Sequence, residues 1–570
     1  MTDYSYEYGL RASGGTHGVV LTKPHIVELI LDLAGYTEQR NLASLRFLEP
    51  ACGQGAFVLP AVRRLLRAAR RHNCSLDSLE SSVLAIDVAA SQVEQTRSKL
   101  AALLQQEEIP PRIAQRLLKQ WIMCGDFLLL PQSEPFDVVV GNPPYVRIEQ
   151  IPPRLLAAYR AQYASLFDRA DLYVACIERA LSLLHPRGVL SFICADRWTR
   201  NRYGAPLRRL ISERYTVQSY LDLSQTSPFD SEVSAYPAIF VISQKTHQES
   251  VSPTETQPHS VQVLTLRSAS VDECRQAATL LHRDSSHQQP EHAGLSLKRY
   301  DSWFAGEEPW LIGEPHQLRM LRQLEREHPL VEDCGGVRIG IGVATGNDAV
   351  YLLDRQRAEQ IESDRVLPLV TRKDLWMGTV RDGGRYLINT FAPNGQPVTL
   401  ADHPRLRDYL LAHDESLRKR HIAKRNPTSW FRTIDRVYPE LTNTPKLLIP
   451  DIAGALQVAF DQGHYYPHHN LYYVTAEHTD LEVLGGLLSS RVALFFVWSY
   501  AVKMRGGYLR FQAQYLRRIR VPQLDQISPE LQDSLRSAFR RRDFAKLDAL
   551  ALRAYHIDQL PTFDFLDTRR

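Results

Sequence analysis

The sequence predicts an α/β chain: an open, doubly wound, mostly parallel sheet followed by a second, mixed α/β domain. Three observations point to it. Short apolar, β-branched runs alternate with helical periodicities from Leu45 to Cys194, the pattern of βαβ units. Four of these runs end in glycine, acid or amide side chains, and the carboxyl edge of such a sheet is where ligands bind. The third is bulk. At 570 residues, 44% apolar and 23% charged, the chain can bury two to four cores. A net charge of only +4 leaves any nucleic-acid affinity to local patches.

Residues 16–35 open with a polar turn. Thr22 suits a helix cap, Pro24 the first turn, and Ile26, Leu29, Ile30 and Leu33 recur at helical spacing until Gly35. By itself this is an amphipathic surface helix.

A short strand then runs into Glu49-Pro50-Ala51-Cys52-Gly53-Gln54-Gly55, and a helix with Val58, Val62, Leu65 and Leu66 follows. Gly53 and Gly55 let backbone approach a ligand at a helix start. Val58 stands where a dinucleotide fingerprint has its third glycine, and no phosphate-loop lysine is present. A mononucleotide-type cofactor fits better; a plain strand–turn–helix joint is the alternative.

The run Ser82–Asp87 reads as a second strand ending in an acid. That carboxylate suits a ribose diol, or equally the N-cap of the helix that follows. A third strand, Trp121–Cys124, ends in Gly125-Asp126-Phe127. Asp126 suits an adenine amino group, with Phe127 against the ring.

The fourth run, Phe136–Gly141, stops at Asn142-Pro143-Pro144-Tyr145. Two prolines end the strand and leave an amide, stiff carbonyls and an aromatic ring at its carboxyl end. An exocyclic amine on a planar ring is a poor nucleophile. Acceptors at the Asn142 side-chain oxygen and the Pro143 carbonyl hold such an amine and favour density on nitrogen in the transition state. Tyr145 stacks on the ring. An amide nitrogen of similar shape suits the same groups, and a proline-rich turn with Tyr145 as a packing residue is the bland alternative.

Together these motifs resemble the class I S-adenosylmethionine-dependent methyltransferases, and in particular the gamma-class adenine-N6 DNA methyltransferases, the TaqI-like group of type II restriction-modification systems. Their cofactor loop resembles Glu49–Phe57. The resemblance implies that Thr22, Glu49, Ala51, Gly53, Gly55, Asp87, Asp126 and Phe127 bind S-adenosyl-L-methionine. It implies that Asn142, Pro143 and Tyr145 hold the target adenine, and that Phe229, in the loop after Asp222, packs its opposite face. A buried turn phenylalanine is the other reading of Phe229. Aromatic contacts matter because a duplex hides the amino group until the base leaves the stack.

Residues 246–300 are polar, with prolines and histidines around a strand-like Val261–Leu266, and read as a connecting segment. Segments of 301–525 resemble the TaqI-like C-terminal specificity domain. Val337–Asn347 is glycine-rich without a lysine and reads as strand and turns close to DNA. Two basic clusters suit phosphate contact. Arg418, Lys419, Lys424 and Arg425 neighbour Trp430 and Phe431, and Lys503, Arg505 and Arg510 lie in a run with no acid from 501 to 520. A solvated helix face is the alternative for each. Residues 526–570 read as helical packing elements.

The expected organisation is therefore a catalytic domain over 1–245, a connection over 246–300, a DNA target-recognition domain over 301–525 and C-terminal helices. The expected reaction is methyl transfer to adenine N6 in double-stranded DNA by base flipping and direct in-line transfer, protecting host DNA from a separate cognate restriction endonuclease. Enzymes that methylate RNA or a protein glutamine share the Asn-Pro-Pro-Tyr site, and a recognition-only subunit is the non-catalytic alternative. No metal is expected. The seven cysteines are scattered without a Cys-x-x-Cys pair and read as reduced thiols. No signal peptide or membrane span is evident, so a cytoplasmic enzyme without an N-terminal nuclease domain is expected.

Overall fold

The computed structural model describes residues 20–131, 134–231, 236–245, 260–282, 295–301, 303–376, 378–453, 456–501 and 509–563. They form two compact units, Met1–Pro315 and His316–Arg570.

The first unit is built on nine strands: β1 (Phe47–Glu49), β2 (Val83–Asp87), β3 (Ile122–Cys124), β4 (Phe136–Gly141), β5 (Leu184–Ala195), β6 (Tyr215–Asp222), β7 (Pro237–Gln244), β8 (Val261–Leu266) and β9 (Leu295–Tyr300). Their order is β3-β2-β1-β4-β5-β7-β6-β8-β9. Strands β1 to β5 pair in parallel, while β7 runs antiparallel between β5 and β6. Succession runs outward from β1 to β3, then returns to β4 on the other flank of β1. Strand order reverses there, and ligands bind at such a switch point.

The helices are α1 (Pro24–Leu33), α2 (Val58–Arg71), α3 (Ala90–Gln106), α4 (Pro111–Trp121), α5 (Pro153–Gln162), α6 (Leu172–Ser182), α7 (Ala205–Arg214) and α8 (Val271–His282). The α2 periodicity is realised: Val58, Val62, Leu65 and Leu66 are all buried. Helix α1 differs from its surface reading. Val27 and Leu31 are buried along with the predicted stripe, so it is enclosed on several sides. Its neighbour is part of the expected connection, since the His25 ring lies 3.0 Å from the Ala269 carbonyl.

The connection over 246–300 is corrected accordingly. Within it β8 pairs in parallel with β6, and β9 pairs antiparallel with β8. Val263, Leu264 and Leu266 are buried, and Cys274 and Ala277 of α8 join the core that holds α1. Polar flanking stretches masked an apolar strand–helix–strand. The first compact unit runs to Pro315 rather than ending at 245.

In the second unit, Arg338–Ile341, Leu471–Thr475, Lys446–Pro450 and Ala459–Asp461 form an antiparallel sheet in that spatial order, and Leu352–Asp354, Arg385–Ile388, Val366–Val370 and Tyr466–Pro467 form a mixed one whose last pair is parallel. The glycine-rich segment serves close packing: a Cβ on Gly342 would lie 2.3 Å from the His468 carbonyl oxygen. Helices Pro529–Arg541 and Phe544–Ala554 follow. A Cβ on Gly485, in the helix Leu481–Leu488, would meet the Phe539 ring at 2.6 Å, so glycine lets that helix pack closely against Pro529–Arg541. Among the described residues no single helix is long and apolar enough to cross a membrane.

Candidate active site

The polar groups singled out in the sequence come to the carboxyl edge of β3, β2, β1 and β4, four adjacent strands. Between β1 and α2 the chain turns through Gly53 at φ +48° and Gly55 at φ +88°, values that favour glycine. A Cβ on Gly53 would meet nothing within 4 Å, so its backbone faces open space. The turn is held from three sides. The Gly55 N–H donates to Cys52 O at 2.8 Å, Thr96 Oγ1 donates to Gly53 O at 2.7 Å, and the Gly53 N–H donates to Asp87 Oδ2 at 2.8 Å. Ala51 is half-buried in the bend before it.

Asp87 does not cap α3. The N-cap is Ala89 and makes no side-chain cap; instead Asp87 Oδ1 accepts the Ala89 N–H at 2.9 Å. The carboxylate joins the β2 end to the glycine turn, and burial raises its pKa against these backbone donors. A carboxylate has about four acceptor positions, so capacity for hydroxyl groups remains.

Glu49 ends β1 with 1% exposure, and its Oε2 has no partner among the described residues. Burial pushes its pKa well up, the N–H groups of Val58 and Phe57 at the start of α2 pull it down, and Asp87 adds to the rise. Asp126 is buried; its Oδ1 accepts the Leu128 N–H at 2.9 Å and its Oδ2 the Tyr159 hydroxyl at 2.6 Å. Phe127 beside it is 6% exposed.

At the β4 end the Asn142 amide is oriented. Its Nδ2 donates to Val20 O at 3.1 Å and to Thr22 Oγ1 at 3.3 Å. A backbone carbonyl only accepts, so nitrogen must face it. The opposite end, Oδ1, is buried with no partner among the described residues. None of the described residues donates to the Pro143 carbonyl either. Two acceptors are thus left free next to Tyr145, whose buried hydroxyl also lacks a partner.

Thr22 has a different task from the cap expected of it. Lys23 is the N-cap of α1 and no side chain caps that helix. Thr22 pairs with Phe229 in an isolated antiparallel bridge. The Lys23 N–H donates to Pro228 O and the Asp230 N–H to Leu21 O, both at 3.0 Å. That bridge brings the loop after β6 to the β4 edge. Phe229 is 5% exposed, and its ring lies 6.4 Å from Tyr145 at 82°, edge to face. The sequence carried no signal for Val20, Thr96 or Tyr159 in these roles.

The Eco57I restriction-modification methylase family matches residues 66–229, and the TaqI-like C-terminal specificity domain matches residues 408–521. The type II methyltransferase M.PaeR7I of Pseudomonas aeruginosa is 43% identical over 553 residues, covering 96% of this chain and 93% of its own. M.BstVI of Geobacillus stearothermophilus is 41% identical over 554 residues, covering 95% and 96%. The chain belongs to the type II methyltransferases of restriction-modification systems.

Among solved structures, the type IIL restriction-modification enzyme MmeI in complex with DNA shares the fold, with a TM-score of 0.55 at 13% identity over 95% of this chain and 74% of that one. As a type II DNA methyltransferase of class I fold, the chain uses S-adenosylmethionine. The edge fits that cofactor. The orphaned Glu49 oxygen suits its ammonium group, the open face of Gly53 suits close approach, and the Asp87 and Asp126 carboxylates suit its hydroxyl and amino donors.

The basic clusters of the second unit are more engaged than their sequence suggests. Arg418 pairs with Asp414 and lies over the Trp430 ring, 4.4 Å from its centroid, while Lys419 pairs with Glu415 at 2.7 Å. Trp430 and Phe431 are core residues. Lys424 and Arg425 are exposed. The acid-free run meets acids in space: Arg510 lies 3.1 Å from Asp451, and Arg517 lies 3.0 Å from Glu332. Lys503 and Arg505 fall outside the described residues. No metal was expected. Asp348, His468 and His469 bring donor atoms within 4.8 Å of one another, and His468 Nε2 lies 3.0 Å from Asp348 Oδ2 as a histidine–carboxylate pair.

Proposed function

We propose that this type II DNA methyltransferase methylates adenine N6 in duplex DNA after the base leaves the stack, and that it acts beside a separate restriction endonuclease. The observation that carries the reading is the oriented Asn142 amide. Both of its N–H bonds are donated away, to Val20 and Thr22, and its buried Oδ1 is left without a partner. An orphaned buried acceptor costs about 1–3 kcal/mol, a penalty that an exocyclic N–H would relieve. The Pro143 carbonyl takes the second N–H. The resemblance of Asn142–Tyr145 to the gamma-class motif assigns that amine to adenine.

When bound, S-adenosylmethionine supplies the electrophilic methyl group on sulfonium. Asn142 and Pro143 withdraw the amine hydrogens from the ring plane and localise the nitrogen lone pair, which serves an in-line displacement. The nitrogen becomes cationic on transfer and acidic enough to lose its proton without a strong base. Tyr145 and Phe229 supply aromatic surface for the extruded base.

The test is transfer of labelled methyl from S-adenosylmethionine to DNA, total RNA and cell protein in parallel, with nucleoside analysis. N6-methyladenine in DNA is expected. Label in cytosine, RNA or protein overturns the adenine assignment. Protection of the methylated DNA from one endonuclease of matching specificity is expected in turn.

A further inference from the structure

We propose that Arg197, Arg200 and Arg202, on the loop that follows β5, clamp the DNA backbone phosphates flanking the target base. This rests on the reading of the Asn142 edge as the place where a base of duplex DNA is held.

The loop stands beside that edge. Strands β4 and β5 are parallel neighbours, and Gly141 pairs with Phe192. Strand β5 continues to Ala195, three residues further, so the loop begins on the order of 10 Å beyond the level of Gly141. A duplex that delivers a base to Asn142 brings its backbone past this height.

The loop is pinned from within. The Asp196 N–H donates to Tyr236 O at 2.9 Å, the Thr199 N–H to Asp196 O at 2.8 Å, and the Trp310 N–H to Thr199 O at 2.9 Å. Arg208, 1% exposed, donates its Nη1 to Asn201 O and its Nε to Glu307 O, both at 2.9 Å. A Cβ on Gly204 would lie 1.8 Å from the Trp198 carbonyl oxygen, so the chain closes tightly here. Trp198 and Thr199 are buried beneath. Arg208 is engaged inside by these carbonyls, while Arg197, Arg200 and Arg202 are exposed, Arg197 beside the Asp171 and Asp196 carboxylates, whose pKa burial raises and its charge lowers.

The chemistry favours phosphate. The one acid of the loop, Asp196, is 8% exposed and meets Arg200 only at 3.8 Å. Three guanidinium groups on a braced turn match phosphate oxygens bidentately. Phosphate contacts fix register on the duplex and carry no sequence information. Tyr236, whose carbonyl anchors the loop, is 54% exposed and adds an aromatic face to the same surface.

The experiment is DNA binding by the full chain and its R200Q/R202Q and R197Q variants, read by fluorescence anisotropy on a target-site duplex and an unrelated duplex. Salt is varied from about 50 to 200 mM. The slope of log affinity against log salt is expected to fall by ~0.9 for each arginine that meets a phosphate. For the double variant this shrinks the affinity lost across that fourfold range by about twelvefold. The change is expected on both duplexes alike, with cofactor affinity and melting temperature unchanged. An unchanged slope overturns the clamp, and a loss confined to the target duplex replaces it with base readout. Wild-type binding that does not respond to salt overturns the DNA reading of the edge as well, which sets that failure apart from failure of the clamp alone.

Discussion

Thr22 holds Asn142: the threonine Oγ1 accepts from the asparagine Nδ2 at 3.3 Å, and the same threonine is bridged by backbone to Phe229. One residue ahead of α1 therefore orients the amide and anchors the aromatic loop. Thr22→Val keeps the shape and removes the acceptor, leaving Val20 O alone to fix the amide. Single-turnover methyl transfer is expected to slow about 5- to 10-fold, the worth of one hydrogen bond, with cofactor affinity nearly unchanged. Thr22→Ser is expected to restore the rate. A weakened cofactor affinity at unchanged rate would move Thr22 to the cofactor side of the site.

Asn142→Ala removes a preorganised acceptor, a loss of about 10²–10³ in rate at comparable sites. Asn142→Asp is expected to fail as well, for a separate reason. A carboxylate cannot donate to Val20 O, so the side chain loses its orientation. Calorimetry is expected to show S-adenosylmethionine still binding to both variants; loss of that binding would contradict the assignment of Asn142 to the target base.

Much of this edge was legible because its chemistry is local. Glycine at 53 and 55, acids at 87 and 126 and the Asn-Pro-Pro-Tyr turn each sit where a strand ends, and strand ends can be read from apolar runs. What was not legible depends on distant pairing. Thr22 looks like a cap because capping is a rule about neighbours, and its bridge to Phe229 spans most of the first unit. The stretch 246–300 read as a connecting segment because polar flanks outweigh Val261–Leu266 and the helix over 271–282. The run over 501–520 holds no acid, and the partners of its Arg510 and Arg517, Asp451 and Glu332, lie far off in sequence.

Glu49 is buried at a cost in stability. Burial raises its pKa well above the ordinary 4.5, so the folded state holds its proton more tightly than the unfolded chain. Stability from this group is full below the unfolded value and is lost as pH rises through the folded one. Glu49→Gln removes that penalty. The variant is expected to melt higher than the parent by a margin that is larger near pH 8 than near pH 5, while its cofactor affinity falls. A margin independent of pH would show that the carboxyl is not the source.

In the second unit Lys446 and Asp461 form a buried pair at 2.7 Å, with 0% and 1% side-chain exposure. The ammonium also donates to Thr444 O at 2.7 Å, and burial holds its pKa below the ordinary value. Lys446→Met strands the carboxylate, which costs about 3–5 kcal/mol in comparable cases. Replacing both partners with apolar residues is expected to recover most of that loss. Denaturant unfolding of the single and double variants measures both.

The ring of Phe229 meets Tyr145 edge to face at 6.4 Å, while Tyr145 also neighbours Tyr173 at 6.0 Å. If Tyr145 and Phe229 receive the extruded base from its two faces, Phe229→Ala removes one face and leaves the Asn142 acceptors in place. A duplex with 2-aminopurine at the target position is expected to brighten on binding the parent and to brighten less with the variant, since stacking on an aromatic side chain is worth ~1–3 kcal/mol per base. The backbone bridge at Thr22 uses no Phe229 side-chain atom, so the fold around the amide is expected to persist and cofactor affinity to hold. Equal brightening in both proteins would return Phe229 to the core, as a packing residue beneath the Thr22 bridge.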